Sequence, residues 1–310
     1  MADNNTNFDW LSDPAPAFAA QEAWDNGRYS QIETMHVLSP VGGPFTIACG
    51  MGLFAEHVNT FRFSPDIIQR LGRLADARGR SVLHESFLNH LQRMRLTVQV
   101  RAAAEGAFLL PGEPLMSLKG PAIQLLLLES AIRRLCVESS WYASHAAHAR
   151  WQAGDLKEED TPTLAPQPWN PEGWKARALY IGGAAPGTET PAPDYKPGTI
   201  FNRLEEASGE ALVQIRRLFK TSQPVGDVWL TRAQEAAASI SRSTIRLENH
   251  VSGETQTLRF TRFTNVYQPV LAKGKPVLPV SKPGYLRQRT LTGMKAFAEV
   301  NLGGYWNGWS

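Results

Sequence analysis

The sequence predicts an α/β protein with helices and strands interleaved along its length. Three observations carry that expectation. Residues 95–118, "RLTVQVRAAAEGAFLLPGEPLMSL", set short apolar runs between a Glu-Gly pair and a Pro-Gly-Glu-Pro turn, the punctuation of extended segments joined tightly. Residues 120–152 open with Gly-Pro, which suits the start of a helix, and run into leucines, marking a long buried helix. From about residue 240 the pattern turns to β, in two hairpins folded at Ser-Gly and Lys-Gly-Lys.

Taken in order, residues 1–27 read as a poorly ordered arm with Trp10 and Trp24 as docking points. "PFTIACG" (44–50) is a buried strand ending in glycine. "SPDIIQRLGRLADARG" (64–79) is an amphipathic helix with Ser64 as N-cap, Pro65 at its first position, and Ile67, Ile68, Leu71 and Leu74 at helical spacing. "SVLHESFLNHLQRM" (81–94) is a second, carrying Leu83, Phe87, Leu88 and Leu91. Strands follow at 95–102, 106–110 and 114–118, and then the leucine helix, with Leu125, Leu128, Ile132, Leu135 and Cys136 on its buried side. Residues 154–174 are acidic and proline-rich, a loop or linker. "ALYIGG" (178–183) reads as a short strand ending in two glycines, and 200–220 as an amphipathic helix interrupted at Gly209. The hairpins after residue 240 lead to a final helix at 285–300 and an aromatic tail, "GYWNGWS".

Composition narrows the class. At 310 residues, 43% hydrophobic and 20% charged, the chain can bury a substantial core and form two structural regions. No apolar run is long enough to span a bilayer, and the acidic N-terminus lacks the basic start of a signal peptide. With only Cys49 and Cys136, a disulfide framework and a cysteine-rich zinc site are excluded, and a cytoplasmic home is the default. The net charge of +3 does not argue for nucleic acid. Arg216, Arg217, Arg242, Arg246, Arg259 and Arg262 alternate with apolar residues and read as solvated faces of a helix and a hairpin.

Few motifs carry chemistry. Gly50-Met51-Gly52-Leu53-Phe54-Ala55 fits a relaxed dinucleotide fingerprint, but no second strand stands where a βαβ unit needs one, so a strand-to-helix turn is the better reading. His145 and His148 share a helix face without a carboxylate or cysteine to complete a metal site. No Gly-x-Ser-x-Gly and no P-loop occurs. The phosphate candidate is "YIGGAAPGT" (180–188), where a strand ending in two glycines would expose backbone N–H groups to an anion; a simple surface turn is the equal alternative.

The order of these pieces resembles the nicotinate phosphoribosyltransferase family. "FRFSPDIIQRL" and "FLNHLQRMRLTVQVRAAAEGAFLLPGEPLMSLKGPAIQLLLLESAI" carry that family's Phe-x-Phe before a helix, its Phe-Leu-x-x-Leu helix, Glu-Gly, Pro-x-Glu-Pro turn, Gly-Pro and leucine-rich helix ending in Glu. "ARALYIGGAAPGT" is similar to its Arg-Ala-x-Tyr-Ile-Gly-Gly segment, and "GTIFN" sits at its Gly-Thr motif. "VYQPVLAKGKPVLPV" with "LRQRTLTGMKAF" is similar to its closing β-segment and helix. The resemblance covers about residues 28–205 and 240–300.

That resemblance implies an α+β flanking domain over 28–120 and 240–300, with a truncated or incomplete (β/α) barrel over 121–239, between the arm at 1–27 and the tail at 301–310. The "EGAFLLPGEP" corner would close over the barrel. It implies transfer of a phosphoribosyl group from phosphoribosyl pyrophosphate, with Mg, to a pyridine ring. Tyr29, Arg177, Tyr180, Gly182, Gly183, Thr188 and Thr199 would line that site, and Asn202 would stand at the catalytic position where the family has histidine.

The departures point away from this chemistry. Asparagine hydrogen-bonds but cannot carry a phosphoryl group. The family's Asp-Phe-Gly with arginine, whose ring stacks on the pyridine, is replaced by "TPTLAPQPWNP". Its Ala-Thr-Lys-Ala-x-Arg stretch is "ASHAAH", without either cation, and of its Thr-Asp-x-Tyr only Tyr29 survives. A full barrel takes roughly 250 residues, whereas the 120 or so left here supply about four units of ~30 residues. The expectation is a non-catalytic relative that serves in binding or assembly, as a homo-oligomer or completed by a second subunit. The alternative is an active pentosyltransferase with a rebuilt site.

Overall fold

The computed structural model describes residues 13–39, 43–157, 171–185, 188–194, 200–205, 212–237, 244–249, 252–277, 279–298, 300 and 305–309. The chain opens with α1 (Ala15–Asp25), β1 (Ile32–Val37) and β2 (Thr46–Ile47). Helices α2 (Met51–Thr60), α3 (Pro65–Gly72) and α4 (Glu85–Arg93) follow, then strands β3 (Gln99–Ala103), β4 (Phe108–Leu109) and β5 (Met116–Pro121). The leucine stretch is α5 (Ala122–Ile132), continued through a π-helical turn at Arg133–Glu138 into α6 (Ser139–Gln152). After α7 (Pro171–Gly182) come β6 (Phe201–Glu205), β7 (Leu212–Lys220), β8 (Gln223–Thr231) and α8 (Arg232–Ala237). The last part holds β9 (Thr244–Asn249), β10 (Thr255–Arg259), β11 (Arg262–Asn265), β12 (Tyr267–Ala272), β13 (Lys275–Pro276), α9 (Pro283–Ala298) and β14 (Trp306–Trp309).

Two six-stranded sheets organise these elements, beside a two-stranded antiparallel pair of β2 and β4. The first, in the order β13-β12-β3-β5-β1-β6, is antiparallel throughout. The second runs β10-β9-β14-β8-β7-β11, with β14 and β8 its one parallel pair. The chain passes from the second sheet to the first at Val266, whose N–H donates to Ile215 O of β7 at 2.7 Å. One large core joins both sheets to α5, α6, α7 and α9, while Ala17, Ala20, Phe87, Leu91, Ile123 and Leu127 belong to a second core beneath α1.

Local signals explain many boundaries. Ser64 Oγ accepts the Ile67 N–H at 3.3 Å and Pro65 opens α3, as expected. That helix stops at Gly72 rather than 79, because the Asp76 carboxylate takes the N–H groups of Arg78 and Arg80 at 2.8 and 3.0 Å and turns the chain at Gly79. The hairpin at Lys273-Gly274 forms as read, both residues taking positive φ.

Several expectations are corrected. Within the arm, residues 15–25 form α1, which buries Ala17, Ala20 and Ala23 and sets Trp24 against His90, ring centroids 4.6 Å apart; Trp10 lies outside the described residues. "ALYIGG" is the end of helix α7, not a strand. The amphipathic stretch at 200–220 is two strands, β6 and β7, because Arg217 turns inward to a buried acid. The aromatic tail supplies β14. Within 121–239, β6 pairs antiparallel with β1 and β7 with β8, and no adjacent parallel strands joined by a helix occur there among the described residues. The architecture is therefore mixed α and β, and the described strands of 121–239 each have an antiparallel partner. No described helix is long and apolar enough to cross a membrane.

Backbone groups around β2 are satisfied by hydroxyls of α6. Ile47 N–H donates to Ser144 Oγ at 2.9 Å, and Cys49 N–H donates to Ser140 Oγ at 3.0 Å. Both serines are fully buried, so no water replaces them. Ser144→Ala is expected to cost about 1–3 kcal/mol, read as a lowered urea midpoint, because it orphans a buried amide.

Two buried histidines set the acid limit. Burial pushes His36 on β1 and His57 on α2 from 6.5 down to about 4. Both stay neutral in the fold while the unfolded chain takes up protons, so their contribution is complete above pH 6.5 and lost as pH falls toward 4. Stability should drop by about 2 kcal/mol per histidine between neutral pH and pH 5. Unfolding curves at the two pH values, compared with His36→Gln, check this.

Candidate functional site: a filled anion cradle

Gly50 takes a left-handed conformation, φ +89°, to turn the chain from β2 into α2, and a Cβ there would overlap the Leu135 carbonyl oxygen. This turn aims the first N–H groups of α2 at the Glu-Gly corner after β3. Gly50 N–H donates to Glu105 Oε1 at 2.9 Å and Gly52 N–H to Oε2 at 3.3 Å. From α7, the Arg177 guanidinium donates to Glu105 Oε1 at 3.3 Å and to the Ser281 carbonyl at 3.2 Å. Arg289 of α9 fixes the Glu105 carbonyl at 3.0 Å. A helix N-terminus and a buried guanidinium together make an anion site, and the chain's own Glu105, buried, occupies it. Burial, and then the charge of Glu105, push the Cys49 and Cys136 thiols up, so neither is a nucleophile at neutral pH.

The structure brings Arg177, Tyr180 and Gly182 together on α7, with Gly183 just past its end, each engaged in contacts within the chain. A Cβ on Gly182 would overlap the Ala143 carbonyl oxygen, so this glycine lets α7 pack closely on α6. Gly183, at φ +99°, donates its N–H to Tyr180 O at 3.0 Å. Arg287 donates to the carbonyls of Tyr180 and Ala184 at 3.1 and 3.2 Å and lies 5.0 Å over the Tyr180 ring. The phosphate nest expected here is thus a helix C-terminus: it presents carbonyl oxygens, and a cation caps them. Thr188 is exposed and donates to Ala185 O at 2.7 Å; Thr199 lies outside the described residues. Tyr29 and Asn202 stand on other elements. Tyr29 is exposed beside Trp24, and Asn202 is exposed on edge strand β6, in register with His36.

Arg177 Nη2 is bonded to Glu105 and Ser281, the Gly50 and Gly52 N–H groups to Glu105, and the Gly183 N–H to Tyr180, while Arg177 Nε is buried without a partner among the described residues. Among the described residues no three His, Cys, Asp or Glu side chains converge into a dedicated metal site.

Sequence reasoning missed Glu105 and a second buried charge cluster. Arg217 on β7 grips Asp227 on β8, with Nε 3.0 Å and Nη2 2.7 Å from its oxygens, and Tyr305 Oη donates to Asp227 at 3.1 Å. Glu113, from the Pro-Gly-Glu-Pro turn, lies 3.7 Å from Arg217 and accepts the Leu110 N–H at 2.8 Å. Burial, reinforced by the Asp227 charge, raises the Glu113 carboxyl well above the usual carboxylate range, so it keeps its proton. One guanidinium then faces one carboxylate, and the cluster ties the turn to the second sheet. The available signal was a lone acid inside the apolar strand "PVGDVWL".

No protein-family profile matches the chain. Human nicotinate phosphoribosyltransferase is 31% identical over 155 residues, 47% of this chain and 27% of that protein. The Mycobacterium tuberculosis protein named nicotinate phosphoribosyltransferase pncB2 is 29% identical over 146 residues, 47% of this chain and 30% of its own length. These matches thus span less than a third of the relatives. The crystal structure of human nicotinic acid phosphoribosyltransferase superposes with a TM-score of 0.70 over 97% of both chains at 14% identity, a likeness of fold. Nicotinate-nucleotide pyrophosphorylase from Pyrococcus furiosus superposes at 0.50 and 12% identity, over 96% of this chain and 98% of that one. The shared motifs, the sequence matches and the fold agree that this chain is a divergent homologue of the nicotinate phosphoribosyltransferases.

Proposed function

We propose that this chain is a non-catalytic relative of the phosphoribosyltransferases that keeps their fold for binding or assembly. One observation carries the reading: the segments that stand for the family's Asp-Phe-Gly and Ala-Thr-Lys-Ala-x-Arg motifs are "TPTLAPQPWNP" and "ASHAAH", without the aromatic-arginine pair or either cation. The α2 cradle is filled by Glu105 and Arg177, a structural pair whose motifs are shared with the family. The capped C-terminus of α7 supports the reading, because carbonyl oxygens repel a diphosphate. Asn202 at the former histidine position supports it too. Partly exposed Val277, Val280 and Tyr285, flanking the segment that crosses Arg177, favour assembly as a homo-oligomer or with a second subunit. Two free buried cysteines suit a reducing compartment such as the cytoplasm.

The purified chain, incubated with phosphoribosyl pyrophosphate, Mg and nicotinate, is expected to release no pyrophosphate above background and form no nicotinate mononucleotide. Turnover would replace this reading with that of an active pentosyltransferase whose site is rebuilt.

A further inference from the structure

Away from the Glu105 cradle, α1, β1, α5 and β6 enclose a cleft of about 210 Å³. Its floor exists because the helix positions facing it carry small side chains: Ala23 and Ala122 leave space beside Leu126. Its walls are charged. Glu33 on β1 is buried, 3% exposed, and among the described residues its carboxylate takes the Arg28 guanidinium at 2.6 Å. A carboxylate has capacity for further donors. Arg203 on β6 sits opposite Met35, two residues along from Glu33, so Arg203 and Glu33 project from the same face of the sheet. Arg203 meets Glu129 through Nε at 3.5 Å, and its side chain, 42% exposed, can fork a second carboxylate through the Nη groups.

We propose that this cleft binds a small zwitterion of the α-amino-acid class, its carboxylate on Arg203 and its ammonium on Glu33. An acid and a base on the same face of the sheet, over an apolar floor, select for both charges on one small molecule. The volume is too small for a phosphoribosyl group bearing a pyrophosphate, and the site does not depend on whether the chain is catalytic.

The test titrates L-alanine into the full chain while following the arginine Nε–H signals by NMR, with acetate and methylammonium as single-charge controls. The Arg203 signal should shift saturably with L-alanine, and the controls should bind about ten-fold more weakly. Arg203→Met, at an exposed position, should weaken binding about ten-fold, and Ala19→Phe, which fills the rim, should abolish it, with circular dichroism unchanged in both. No saturable shift with L-alanine, equal binding of acetate, or unchanged binding by a folded Arg203→Met chain would each overturn the assignment.

Discussion

Replacing Glu105 with alanine is expected to cost about 3–5 kcal/mol of folding stability, the range for removing one partner of a buried ion pair. The Arg177 charge would be left buried without its carboxylate, and the Gly50 and Gly52 N–H groups would lose theirs. Glu105→Gln keeps an oxygen for the amides but not the charge for Arg177, so it should fall between the two. Pairing Glu105→Ala with Arg177→Met should recover part of the loss, because no buried charge then lacks a partner. Urea unfolding of the four chains measures these differences directly. A Glu105→Ala chain within about 1 kcal/mol of the parent would mean that the carboxylate does not hold the cradle.

Arg217→Met carries the second large effect, again about 3–5 kcal/mol. Asp227, fully enclosed, would lose its cation and keep neutral donors alone, the Tyr305 hydroxyl and the protonated Glu113 carboxyl. The lost guanidinium also lies 4.7 Å over the Phe297 ring, so packing against α9 goes with it. Changing Arg217 and Asp227 together to Met and Leu should cost less than Arg217→Met alone. The cluster adds a pH dependence of definite sign. Glu113 has a raised pKa in the fold, so its stabilising contribution is complete below the ordinary carboxylate value and is lost as pH rises through the folded value. This contribution should therefore shrink as pH rises from the ordinary carboxylate value toward the folded one, and Glu113→Gln should remove that slope.

Legibility in the sequence follows from how local each signal is. The Ser64-Pro65 helix start, the Gly120-Pro121 entry to the leucine helix and the Lys273-Gly274 hairpin depend on neighbouring residues, and each forms where it was read. "ALYIGG" failed because a short apolar run fits a strand or a buried helix equally by periodicity, and only packing against α6 decides it. The stretch 200–220 failed for a related reason: Arg217 at an inward strand position mimics the polar face of a helix until its partner Asp227 is known. That partner lies ten residues away across a hairpin. The cradle was the least legible feature. Gly50 and Gly52 stood out as glycines near a strand end, Arg177 as a motif residue and Glu105 as a turn residue, yet only the tertiary fold puts them within hydrogen-bond reach.

The measurement that bears most directly on the central claim is thermal unfolding of the purified chain, with and without saturating phosphoribosyl pyrophosphate and Mg. The missing aromatic-arginine pair and cations, with a capped α7 terminus, predict no change in the midpoint. A bound ligand at a hundred times its Kd adds about 2.7 kcal/mol, which would raise the midpoint by several degrees. A saturable rise of that size would contradict the claim that the chain has left this chemistry.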